Sequence, residues 1–457
     1  MSYIRRLAWL AAWGVWAWLG VGLYRELPRD LGAPIATLPA RTLGKDVSPV
    51  GFIGDTNRFV RIRHGSSLTS TLEIFDAETG GLVQSIEGPG YSDYLWPDCF
   101  QPKRGILLGT QLWTENVEDG SGLHVLDLAK AKWRRISNRK FRCGSVHAHK
   151  PWVVAVDDAR EKRVSRVVVV DWETGQETIV RAVLAQESIN GRVFFLSDDD
   201  RVVIPLKSRL WELPGLKSGP EKESVEIWKI DNGKAVLQKT LTDLPVGMFP
   251  SYSQGGRVTF AEPHGTTSID VYDVDQERYL ISDPPRDQRP PPPARGTFGW
   301  EQPPVLSANG HRVFGGNPMT LRDVDTGKIM WRSEDMAFVE RSHDLIFTFE
   351  SWERYWKNWL PKLKYRTYAL RDMETGRVAL RFATNADGAP VIQPHFWNAA
   401  GTFAVANTGE VYRLPLPVNW PLWALCQTIL ASPIVILWAL LLWRRRRRAR
   451  LVVETAT

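Results

Sequence analysis

A chain of 457 residues with 43% hydrophobic side chains carries enough apolar surface for a large folded body, which excludes a disordered chain. Its net charge of +7 belongs to the two ends: Arg5, Arg6, Arg444 to Arg448 and Arg450, offset by Glu454, account for all of it. The neutral remainder lacks the electrostatic footprint that phosphate backbones demand, so nucleic-acid binding is set aside.

Residues 1–6 form a short basic N-terminus, and residues 7–24 follow without a charge, long enough for a membrane-crossing helix. A cleavable signal peptide competes with this reading, but its apolar region would be shorter and followed by a small-x-small site. The bulky stretch here has neither property, so an uncleaved anchor is expected. The 21 tryptophans are biased to the ends, with Trp9, Trp13, Trp16, Trp18, Trp420, Trp423, Trp438 and Trp443 in or beside the two apolar stretches. Interfacial belts of membrane helices have that composition.

Residues 33–418 read as one repeat-built region. A β-branched strand ending in Asp, a turn rich in Thr and Gly, and a second strand recur at Asp76, Asp127, Asp171, Asp231, Asp273, Asp323 and Asp372. The landmarks stand 42 to 60 residues apart, near the period of four-stranded propeller blades. Asp can end a strand by accepting bonds from nearby backbone N–H groups, and Gly supplies the positive φ that closes the hairpin. A further hairpin over residues 398–417 lacks an outer strand, which the segment Ala33 to Leu43 could supply from the other end of the chain. Such closure buries both free sheet edges. The pattern gives an all-β propeller of eight blades, with seven as the alternative, flanked by a transmembrane helix at each end.

Within this region, Cys143, His147 and His149 have zinc-compatible ligand types but no evident fourth ligand, so packing is the expected role and no metal site is assigned. Cys99 could pair only with Cys143, because Cys426 lies in the second apolar stretch. Asp198, Asp199 and Asp200 separate two apolar strands, where a polar turn is needed in any case; calcium is the competing reading. Asp283 to Arg295 is a proline-rich connector. Ser351 to Tyr365 carries Trp352, Trp356 and Trp359 at helical spacing among cations, suiting either a membrane-interface insert or a hairpin that caps the rim. Residues 420–443 form the second apolar span, and the basic tail 444–457 opens with five arginines that mark a cytoplasmic side. Both termini are thus expected in the cytoplasm of a bacterial inner membrane, with the propeller outside it.

The copies Asp323 to Trp331 (DVDTGKIMW), DAETGG, DWETGQ and DMETGR resemble the D-x-x-T-G-K-x-x-W repeat of quinoprotein-type propellers, and the hairpin cadence resembles WD40-type repeats. The resemblance implies a fold more than an activity. Trp331 alone fills the tryptophan position that docks blades in the quinoprotein family, and that family's cofactor residues and adjacent cysteine pair have no counterparts here. No catalytic or cofactor-binding residue is therefore assigned and no cofactor is implied. The expected function is a membrane-tethered, extracytoplasmic, non-enzymatic binding or scaffold module for a protein or other partner, with the lipid bilayer and a protein as the expected partners. The alternative is a quinoprotein-like oxidoreductase using the central channel, and a sensor would need a separate output protein.

Overall fold

Runs such as VVVV at Val167 to Val170 have no helical period, and their β-branched side chains favour a pleated backbone. The computed structural model describes residues 3–454 apart from several segments, the longest of them 112–121, 209–221, 284–303 and 351–364. Among the described residues the strands form eight sheets of four or five strands. Taken along the chain, these sheets span 47–91, 100–137, 141–183, 187–241, 249–283, 305–332, 337–385 and 392–413. Within each, consecutive strands pair antiparallel as a meander.

Burial follows position in the sheet. The middle strands Gly122–Asp127 and Arg201–Ser208 are almost wholly buried, because each has a neighbouring sheet on both faces. The outer strands Lys132–Ser137 and Lys234–Leu241 alternate between exposed and half-buried residues. Continuous apolar runs inside and alternating runs outside are what burial on two faces or one requires.

The core is divided among the seams between sheets. Val60, Ile74 and Leu126 join the first and second sheets, while Val154, Val167, Val202 and Ile204 join the third and fourth. Phe314, Leu321, Ile346 and Met373 join the sixth and seventh. The last seam joins the eighth sheet to the first: Phe403, Val405 and Val411 pack with Phe52, Phe59, Phe75 and Leu38. Sheets packed face to face in succession make this a β-propeller.

The N-terminal segment completes two sheets. Arg29–Asp30 lies parallel to Val378–Asn385 at the edge of the seventh, and Ala36–Thr37 lies antiparallel to Glu410–Arg413 at the edge of the eighth. Ala36–Thr37 falls within the segment expected to close the ring. The strand at Arg29–Asp30 was not expected, since two polar residues carry no alternation to read.

Two helices flank the sheets: α1 (Tyr3–Glu26) and α2 (Trp420–Glu454). Trp420–Arg444 within α2 is long and apolar enough to cross a membrane, whereas the apolar part of α1, Leu7–Gly22, is shorter. Helix α2 continues beyond Pro433 and through the arginine run that the sequence placed in a tail.

Candidate functional site

Six of the seven landmark aspartates build one turn. Asp76 Oδ1 accepts the backbone N–H groups of Glu78 and Thr79 at 3.0 and 2.9 Å, and Asp171 Oδ1 accepts those of Glu173 and Thr174 at 2.8 and 2.9 Å. At Asp323 and Asp372 the Thr hydroxyl also donates, at 2.8 and 2.7 Å. The fifth residue takes positive φ: Gly80, Gly175, Gly327 and Gly376 in four copies, but Ala131 and Glu277 in the other two. Asp231 differs, because Asn232 and Gly233 at φ 49° and 74° make a two-residue hairpin.

Two roles in these turns escape a sequence reading. The residue after Asp (Ala77, Leu128, Trp172, Val274, Val324 or Met373) is buried in every copy. In five of the six, the next residue receives a cation from the preceding sheet. Arg201 reaches Asp275 at 2.6 Å, Arg257 reaches Asp325 at 2.5 Å, and Arg312 donates to the Glu374 carbonyl at 3.1 Å. Arg134 bonds the Trp172 and Glu173 carbonyls, and Arg413 of the eighth sheet pairs with Glu78 of the first at 2.7 Å. The carboxylates of Asp275, Asp325 and Glu78 and the backbone carbonyls of Glu173 and Glu374 are thus engaged in holding sheet to sheet. Trp331 works at the same seam, stacking on Phe314 with the Arg371 guanidinium 4.6 Å above its ring.

His147 is buried, and its Nδ1 accepts the backbone N–H groups of His149 and Lys150, both at 3.0 Å. That use of the Nδ1 lone pair assigns the ring hydrogen to Nε2, which lies 3.3 Å from Asp200 Oδ1. Burial, outweighing the nearby Asp200 charge, holds His147 below the ordinary histidine pKa, with Lys150 and His149 adding to the effect. His147 therefore caps the turn leading into Trp152–Ala159 and packs edge-on against Phe195. Cys143 pairs through its backbone with Ala155, and among the described residues no group of three or more His, Cys, Asp or Glu side chains could hold a metal ion. Asp199 pairs with Arg201 at 2.5 Å within the turn between strands, whereas Asp200 pairs with Lys150 at 2.6 Å and so joins the fourth sheet to the third. Cys99, Asp198, the proline run after Asp283 and residues 351–364 lie outside the described residues.

A cavity of about 690 Å³ opens between the second and third sheets, lined by Ile106, Val125, Trp133 and Trp172 with Lys132 and Arg134 among its polar residues. Much of its polar lining already has a partner. Lys130 pairs with Asp127 at 2.8 Å, Trp133 Nε1 donates to the Glu87 carbonyl at 2.9 Å, and Arg134 bridges to the third sheet. As a result the cavity reads as a seam, with Lys132 its one lining cation lacking a partner among the described residues.

The chain leaves the ring at the turn end. Leu414 N–H bonds the carbonyl of Thr402, in the turn between the first two strands of the eighth sheet, and α2 begins six residues later. There Tyr24 of α1 lies 6.1 Å from Trp420, and the Arg29 guanidinium sits 4.8 Å above Tyr24. Trp16 Nε1 donates to the Gln427 carbonyl at 3.2 Å and Trp423 Nε1 to the Gly20 carbonyl at 3.3 Å, so the two helices lie side by side.

No family model matches the chain, and no curated protein matches it in sequence. Solved structures of similar form include the β-propeller domain of the Trilobed protease from Pyrococcus furiosus, at 12% identity and TM-score 0.41, covering 72% of this chain and 96% of that one. Porphyromonas gingivalis dipeptidyl peptidase 4 is similar at 8% identity and TM-score 0.49, over 80% of this chain and 56% of that one. An oligogalacturonate lyase in complex with manganese is similar at 12% identity and TM-score 0.43, over 80% and 98% of the two chains. None of these likenesses assigns a role to a residue here.

Proposed function

We propose that this chain is a membrane-tethered, eight-bladed propeller that binds or scaffolds a protein partner outside the cytoplasm. In this reading each of the eight sheets is one blade, and the N-terminal strand Ala36–Thr37 closes the ring. Helices α1 and α2 both cross the bilayer, with their basic ends, Arg5–Arg6 and Arg444–Arg448, on the cytoplasmic side.

The observation that carries the reading is where the chain leaves the ring. Leu414, bonded to Thr402, leads from the turn end straight into α2, and α1 lies against α2. One end of the ring is therefore directed toward the anchor, and the opposite end is left to a partner. The Asp, Thr and Gly of the quinoprotein-like turns close hairpins, and several of their acidic neighbours join sheets, so these residues are taken up by the fold itself. The test is in-cell cross-linking followed by detergent extraction of the intact, tagged chain. A defined protein recovered in constant proportion, and lost when the closing strand is disrupted by Leu38→Ala, is expected. Recovery of the bare chain in every preparation would overturn the proposal.

A further inference from the structure

The contact between the two helices is more specific than apolar helices side by side would give. Gly20 is buried, and a Cβ at that position would stand 2.5 Å from Nε2 and 3.0 Å from Cδ of Gln427. Gln427 is itself only 5% exposed, and its Nε2 has no hydrogen-bond partner among the described residues. Two indoles clamp the notch reciprocally: Trp16 reaches across to the Gln427 carbonyl and Trp423 to the Gly20 carbonyl. By contrast, added Cβ atoms at Gly14 and Gly22 would meet nothing within 4 Å. In hydrocarbon, small residues let helix backbones approach and polar side chains find their place at helix contacts. A carboxamide facing acyl chains would have no water to satisfy it.

We infer that α1 is a permanent half of the anchor, locked onto α2 by the Gly20 notch that receives Gln427, so that the N-terminal helix is retained in the mature protein. The inference rests on the two-span reading above and adds its recognition element. The lock continues into the ring. Arg29 covers Tyr24, bridges to Val418, and aligns with Phe382 in the seventh sheet, so that anchor and propeller share one contiguous seam. Loss of α1 would expose Gln427 to lipid and strip Arg29 of its contact with Tyr24, cutting the seam that leads from the helices into the seventh sheet.

A protease site inserted beside Gly32 in the full-length, C-terminally tagged chain tests this in native membranes and after detergent extraction. After cleavage, the α1 fragment should stay with the tagged chain. Gly20→Leu should lower its recovery severalfold, while Gly14→Leu and Gly22→Leu leave it unchanged. Should Gly20→Leu fail to accumulate, Gly20→Ala gives the same test: adding Gln427→Ala, which vacates the notch, should raise retention above that of Gly20→Ala alone. Equal retention in the Gly20 and Gly22 variants would overturn the inference, as would an intact mass showing that the membrane-extracted chain lacks residues 1–26. The two-span reading fails separately, when tags on the two tails are reached from opposite sides of the bilayer.

Discussion

At Asp323, burial alone would raise the carboxyl pKa. Hydrogen bonds from the Thr326 hydroxyl and N–H, with the Arg312 charge, outweigh it and leave the group below the ordinary aspartate range. Asp325 is likewise pushed up by burial and brought below that range by His311 and Arg257. A folded-state pKa depressed in this way contributes stability above the unfolded value, near 4, and loses it as pH falls through the folded value. Asp323→Asn should therefore cost about 1 kcal/mol at pH 7 and progressively less below pH 4. Denaturant titrations of both proteins at pH 7 and pH 3 check this; a gap of constant size would contradict it. Ala131 is the opposite case, a side chain held at φ 51° where four other copies of the turn have glycine. Ala131→Gly should stabilise by about 0.5–1 kcal/mol, because the left-handed conformation strains a Cβ more than the added chain entropy costs. A fall in midpoint would instead mean that the packing of Ala131 against the seam of the first and second sheets outweighs that strain.

At the scale of the element, the repeating hairpin was legible because Asp, Thr and Gly are chemically required where the strand ends. The clasp between sheets was not. Nothing in Arg201 or Arg257 marks which distant carboxylate it meets, since Asp275 and Asp325 become neighbours only once the sheets are stacked. The turns at Ala131 and Glu277 were blurred for a local reason, lacking the glycine that announces positive φ. His147 was read as a metal candidate or a packing residue, and its actual task, accepting two backbone N–H groups, depends on a rotamer that spacing cannot reveal. Leu38 gives the strand-level prediction. It is 1% exposed, lies just past Ala36–Thr37, and packs against side chains of both the first and the eighth sheets. Leu38→Ala should cost about 2–4 kcal/mol by opening a cavity in the closing seam. Chemical denaturation of the extracted protein measures it, and a loss below about 0.5 kcal/mol would place Leu38 outside the core.

For the whole molecule, the β region, its period and the two apolar ends were legible beforehand, because each of these is written in composition and spacing. The division of the core into seams follows from stacking, which no single repeat encodes. Closure is the feature on which the rest depends, joining a strand near residue 36 to one near residue 411 across the length of the chain. It ties the ring to the helix pair through Arg29, Leu38 and the carbonyl of Pro39, which accepts from Arg61 at 3.1 Å. The most direct measurement is cross-linking of Thr37→Cys with Glu410→Cys, which face one another across the antiparallel pair. The account predicts rapid intramolecular coupling of the double variant in native membranes, visible as a mobility shift that neither single variant shows. Absence of that product, with both cysteines reactive toward a soluble maleimide, would contradict a ring closed by the N-terminal strand.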